Sequence, residues 1–139
     1  MITINISEQA LEYKGKSYSI STAKNGIGEI EDSYCTPTGK FKIAEKIGAN
    51  LELGSVLVDR EPTGEIYNTD LAKKNPDRDW ILTRILWLDG VEVHNLNTKN
   101  RYIYIHGSPD ETQMGMPGSK GCIRTVSYTH LTLPTIYSV

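Results

Sequence analysis

A cysteine and a histidine sixteen positions apart are the residues of this chain best suited to covalent chemistry. Cys122 closes the run Ser119-Lys120-Gly121-Cys122, and His106 ends the alternating stretch Arg101-Tyr102-Ile103-Tyr104-Ile105-His106. A thiol attacks only as the thiolate, so it needs a base or a positive field at its side. An imidazole titrates near neutrality and can take that proton and later return it. The separation is too long for local geometry to join the two, so a fold has to.

The elements that must do so can be read from period and punctuation. In a strand, Ile103 and Ile105 face one way while Tyr102, Tyr104 and His106 face the other, so residues 101–106 predict a strand delivering His106 at its end. The Gly-, Pro- and Asp-rich stretch that follows must turn back over the surface. Trp80 to Leu88, stopped by Asp89-Gly90, predicts a central strand buried on both faces. Met1 to Ile6 and Ser17 to Thr22 predict earlier strands, with turns at Lys14-Gly15-Lys16 and Asn25-Gly26-Ile27-Gly28. Thr36 to Ile43 predicts a proline-set turn feeding an alternating strand with Phe41 and Ile43 on one face. Asp59 to Asp79 sets many charges among Pro62, Gly64 and Pro76, which predicts a solvated surface excursion long enough to act as a lid. Asn95 to Asn100 is a polar lead-in to the histidine strand.

Two of these segments carry a family resemblance. His106-Gly107, the spacer, and Ser119-Lys120-Gly121-Cys122-Ile123-Arg124 resemble the catalytic signature of the L,D-transpeptidases of bacterial cell walls, the YkuD-type domain. Upstream, Thr36-Pro37-Thr38-Gly39-Lys40-Phe41 is similar to a second element of that family, and the resemblance covers roughly residues 15 to 124. It implies a mainly β fold, a YkuD-like sandwich or barrel with little helix. It also implies a reaction. Cys122 is the nucleophile, His106 its base, and the Gly107 carbonyl orients the imidazole. The amides near Gly121 and Cys122 are the oxyanion donors, Tyr104 lines the cleft, and Ser119 and Arg124 give structural support or meet a substrate carboxylate. Lys120 falls on the variable position and receives no role. The implied partners are peptidoglycan stem peptides, with no metal or organic cofactor and a location in the periplasm or cell envelope.

Composition narrows the rest. The 139 residues suit one domain with a core, and 38% hydrophobic with 23% charged residues is ordinary for a globular chain. A net charge of −2 argues against nucleic acid or an anionic membrane surface as the main partner. No window approaches the roughly 20 apolar residues of a membrane span, and a monomer is expected. Cys35 and Cys122 are too few for a disulfide framework, and Cys35 reads as a partly buried free thiol. A Cys-His peptidase or carboxypeptidase of another fold shares the dyad and hands its acyl group to water. A non-catalytic wall-binding remnant would need neither residue. Zinc held by Cys35, His94, His106 and Cys122 is a weaker reading, because paired-ligand spacing is lacking.

Both ends raise expectations of their own. The start lacks a basic region followed by an apolar core, so no signal peptide is read there, and an envelope location requires another route or a different start. Residues 125–139 contain no Asp, Glu, Lys or Arg and include Pro134, a poor script for the helix and strand that follow the cysteine motif in the family. That tail resembles a translated sequencing adapter. The expected division is therefore a catalytic domain over 1–124, lacking the family's C-terminal helix and strand, and a non-family tail over 125–139.

Overall fold

The computed structural model describes residues 2–126. It is mainly β: three short strands form one sheet and six form a second, with little helix. The first sheet is the meander β1 (Thr3–Asn5), β2 (Ala10–Tyr13) and β3 (Lys16–Ser19). Its second turn is two residues long, with Lys14 at φ 50° and Gly15 at φ 77°. Two left-handed residues are what a tight hairpin needs to match strand twist.

The second sheet is organised on β7 (Ile81–Gly90), ten residues with both faces covered, as the apolar run predicts. One edge of β7 is long enough for two neighbours: β5 (Ser55–Val58) pairs with Ile81 and Leu82, and β4 (Phe41–Ile47) pairs from Ile85 to Gly90. The other edge takes β8 (Tyr104–Ser108), and β8 in turn takes β9 (Ile123–Val126) in parallel. Gly90 ends β7 as glycine for a steric reason, because a Cβ there would collide with the Asn95 backbone. Asn95 is itself fully buried and donates to the carbonyls of Thr38 and Lys40, tying the 95–100 segment to the turn before β4.

Leu11 of the small sheet and Ile20, just after it, meet Leu86, Leu88, Ile105 and Ile123 of the large one, with Ile103 just before β8, in the main core. A second cluster of Leu57, Ile85 and Tyr104 lies on the opposite face of the large sheet, with Trp87 and Cys122 packed against it. The alternation read for Ile103 and Ile105 against Tyr104 is thus realised as two different cores. The strand is shorter than predicted, however. Lys99–Arg101 is a 3₁₀ turn and Tyr102 sits at φ 57°, so β8 begins only at Tyr104. The polar run before it satisfies its backbone locally, which the side-chain alternation does not reveal.

The 59–79 segment lies on the surface but is not irregular. Val58 and Glu61 pair across a two-residue turn, and β6 (Glu61–Ile66) returns along β5 as an edge strand. An edge tolerates Pro62 and Gly64, which a central strand would not. Helix α1 (Thr69–Lys74) follows, capped by Asn68, whose side chain accepts from the Leu71 amide at 2.8 Å. At the other end of the chain, β9 continues through Thr125 and Val126, opposite Gly107 and Ser108. Thr125 is fully buried. The expectations for the remainder of the tail fall on residues 127–139, outside the described residues.

Candidate active site

Parallel pairing of β8 and β9 sets Ile105 opposite Ile123 and His106 opposite Arg124. Period two then puts Tyr104, His106, Cys122 and Arg124 on one face, away from the main core that holds Ile105 and Ile123. Cys122, one residue before the strand, is level with Tyr104 and diagonal to His106. Opposite His106 the partner strand bulges: Leu82 pairs with Gly107 and Ile85 with His106, so Thr83 and Arg84 are looped out. Thr83 sits at φ 75°, and its hydroxyl accepts from the Gly54 amide at 3.0 Å. Arg84, almost fully buried, donates to the carbonyls of Leu51 and Thr83.

The Cys122 sulfur accepts from the Tyr104 amide at 3.4 Å, and its thiol faces the Tyr102 carbonyl at 3.4 Å. Burial pushes the thiol up to about 12; the Tyr104 N–H opposes this, the Asp79 carboxylate adds to it, and Arg124 opposes it. Burial likewise pushes the His106 imidazolium below its ordinary range, against the pull of the Gly107 carbonyl. At neutral pH the resting pair is therefore a thiol and a neutral imidazole. The ring nitrogen Nδ1 lies 2.7 Å from the Gly107 carbonyl, an atom that can only accept, so Nδ1 carries the proton and Nε2 the lone pair.

The turn into Cys122 is held by its own side chains. The Ser119 hydroxyl donates to the Cys122 carbonyl at 2.5 Å and accepts the Gly121 N–H at 3.2 Å. The Gly121 N–H, expected together with that of Cys122 as an oxyanion donor, is thus engaged by Ser119 in this structure. Gly121 stands at φ 127°, a region open to glycine alone, and its carbonyl accepts from the buried Thr36 hydroxyl at 2.9 Å. Thr36 also accepts the Ala23 amide at 2.9 Å. The Thr36-Pro37-Thr38-Gly39 turn is therefore more than a hairpin corner: it clamps the residue before the cysteine.

A family model of the L,D-transpeptidase catalytic domain, YkuD, matches residues 1–130. The chain belongs to that family. A comparison with curated proteins gives no match.

Within this L,D-transpeptidase domain, the residues singled out from sequence share one face and one turn. Tyr104, His106, Cys122 and Arg124 sit on adjacent strands, with Gly107 behind the imidazole and Ser119 and Gly121 under the cysteine. The Arg124 guanidinium is already engaged, 3.3 Å from Asp79 Oδ1 and 3.3 Å from the Gly118 carbonyl. Cys35 and Cys122 are both free thiols. His94 turns away to the Thr38 carbonyl, and among the described residues no group of three or more His, Cys, Asp or Glu could hold a metal ion. Also among the described residues, no helix is long and apolar enough to cross a membrane.

Sequence reasoning gave no site role to Asp79 or Arg60, and it placed Thr36 in a family turn without foreseeing its bond to Gly121. Asp79 and Arg60 stand at the two ends of the charged excursion, which composition reads as solvent-facing. Asp79 folds back to Arg124, and Arg60 Nη1 donates to the Tyr104 hydroxyl at 3.1 Å. Two hollows lie elsewhere on the surface of the described residues. One of about 160 Å³ is lined by Tyr34, Arg101, Tyr102, Ile103 and Lys120 among others; one of about 270 Å³ lies between Asn50–Ser55 and Pro62–Ile66. Neither is lined by Cys122 or His106, because the sulfur is packed into the cluster around Tyr104.

Proposed function

We propose that this L,D-transpeptidase domain uses Cys122 as nucleophile and His106 as base in acyl transfer from a peptidoglycan stem tetrapeptide in the cell envelope. The thiol gives its proton to His106 Nε2 as sulfur attacks the carbonyl of the third stem residue. The amide bond breaks, the proton leaves on the amine of the terminal D-alanine, and a thioester to Cys122 remains. An incoming amine then loses a proton to His106, attacks the thioester and releases the thiol, giving a 3-to-3 cross-link when the amine belongs to a neighbouring stem. A lipoprotein lysine or a D-amino acid serves the same chemistry, and water in its place gives carboxypeptidase activity.

The observation that carries this reading is the proton arrangement at His106. Its Nδ1–H is spent on the Gly107 carbonyl, so the free lone pair is on the nitrogen that can serve a thiol on the same face. A neutral imidazole is the form a general base requires. The Cys122 amide is the oxyanion donor in this scheme, since the Gly121 N–H is engaged by Ser119. Ser119 and Arg124 act as supports, shaping the turn and the strand.

Intact mass after incubation with a carbapenem, and separately with a stem tetrapeptide, tests the proposal. A single adduct mapped to Cys122 and absent from Cys122→Ala is expected. An unmodified protein, or an adduct elsewhere, would overturn it, and product analysis with and without an added amine separates transfer from hydrolysis.

A further inference from the structure

One cluster beside the thiol is left unused by this chemistry. The turn between β5 and β6 is Asp59-Arg60, with φ 50° and 66°, where glycine would be relaxed. The backbone does not ask for arginine here, so the reason for it lies in the side chain. Its guanidinium carbon is 5.0 Å from the centroid of the Trp87 ring and 5.1 Å from that of Tyr102, and one N–H is given to the Tyr104 hydroxyl. Lys99 brings a second cation, its Nζ 5.1 Å from the Trp87 centroid.

The aromatic floor is itself fixed. Trp87 and Tyr102 stack at 5.8 Å, Trp87 meets Tyr104 edge-on at 5.7 Å, and the indole N–H donates to the Lys99 carbonyl. The ion pairs among the described residues are Arg78 with Glu65 and Arg124 with Asp79; Arg60 and Lys99 take no part in either. Two cations held in no ion pair are thus gathered in a chain whose net charge is −2, with Asp59 the carboxylate whose charge reaches Arg60. The floor is also the wall of the site: Tyr102 and Tyr104 supply the carbonyl and amide that meet the Cys122 sulfur.

We infer that Arg60, seated on Trp87 and Tyr102 with Lys99 beside it, forms a carboxylate-binding subsite that holds a free carboxylate of the peptide acylating Cys122. The inference rests on the acyl-transfer reading for the identity of the ligand. Guanidinium suits the task because its planar fork can give two parallel N–H bonds to one carboxylate, whereas a lysine offers a point charge. Stacking on the rings orders the long side chain in advance, so less of its freedom is lost on binding. A stem tetrapeptide can present such a group at its C-terminus or on the side chain of its third residue, and the test separates the two.

Binding is measured by calorimetry on the 139-residue chain carrying Cys122→Ala, using a stem tetrapeptide, its C-terminal amide, and a version with the third side-chain carboxylate amidated. One amidation is expected to weaken binding by about tenfold, the worth of a charge-assisted contact, and thereby to name the source. Adding Arg60→Gln should collapse that preference to under about twofold, and Arg60→Lys should restore part of it. Thermal melts confirm that each variant is folded. Equal binding of all three peptides, no binding, or a preference that survives Arg60→Gln would overturn the inference. Wild-type acylation by the parent peptide is followed in parallel by intact mass. Should it fail while the Arg60-dependent preference persists, the reaction assignment falls and the subsite stands.

Discussion

The backbone amide of Tyr104 points at the sulfur of Cys122 from 3.4 Å, joining the level of one strand to the turn that enters the next. The contact favours the thiolate, yet burial wins and the thiol is pushed up to about 12 from 9.0. Three units leave roughly a thousandfold less thiolate, and the greater nucleophilicity of a more basic sulfur recovers only about half of that on a logarithmic scale. Iodoacetamide should therefore alkylate Cys122 in the folded protein at pH 7.5 at least about 30-fold more slowly than in urea. Peptide mapping by mass reads the rate, and equal rates would contradict the burial argument.

Acid should loosen the fold through His106. Its folded value lies below the ordinary 6.5, so an unfolded chain binds this proton more readily than the folded one. Stability from this group is complete above about pH 6.5 and is lost as pH falls from there towards the folded value, by at most about 1.4 kcal/mol per pH unit. Urea midpoints from pH 7.5 to 5 should fall more steeply for wild type than for His106→Gln. Parallel slopes would mean that the ring is not buried in neutral form.

Thr36→Val keeps the side-chain volume and removes one hydroxyl that serves both the Ala23 amide and the Gly121 carbonyl. Leaving two buried groups unpaired should cost about 2–4 kcal/mol. Because Gly121 precedes the thiol, acylation should drop by more than the unfolded fraction explains, which denaturation and intact mass measured on the same sample will show.

Gly121→Ala meets two obstacles. The backbone angle of 127° excludes an L side chain, and a Cβ there would lie 3.2 Å from the Cys35 carbonyl. A loss of about 2 kcal/mol or more is expected from strain of this kind, read as a lower melting temperature. The mirror-image D-alanine, introduced by semisynthesis, should be tolerated far better.

Asp79→Asn should affect chemistry more than stability. Its pair with Arg124 is more than half exposed on the Asp79 side, so the contribution to folding is at most about 1 kcal/mol. The Asp79 charge nevertheless raises both Cys122 and His106. The variant should alkylate at Cys122 about two- to threefold faster at pH 7.5, a small electrostatic gain on the thiolate. An unchanged rate would place Asp79 outside the field of the site.

Much of the framework around the candidate site was legible because its signals are local in sequence. The alternation of Ile103 and Ile105 against Tyr104 and His106 reports two faces, and those faces became two cores. The apolar run Trp80–Leu88 likewise reads correctly as a strand covered on both sides. What escaped depends on contacts between distant segments. Nothing near Thr36 says that its hydroxyl will meet Gly121, and nothing in the charges of 59–79 says that Arg60 will reach the Tyr104 hydroxyl or that Asp79, still half exposed, will pair with Arg124. Charge predicts exposure on average, and these two arginine and aspartate side chains find their partners only after the hairpin and helix have formed. The start of β8 failed for a related reason, since the 3₁₀ turn at Lys99–Arg101 satisfies its own backbone without altering the side-chain pattern.

The parallel pairing of β8 and β9 has a kinetic consequence. Parallel neighbours cannot be zipped up from a tight hairpin; the chain must first travel from Ser108 out and back before the second strand can dock beside the first. Such closures are slow compared with the antiparallel meander at the start of the chain. Until that docking is complete the Cys122 sulfur lacks the Tyr104 amide and the cluster that cover it, so the thiol should be more open to oxidation in the unfolded chain than in the folded one.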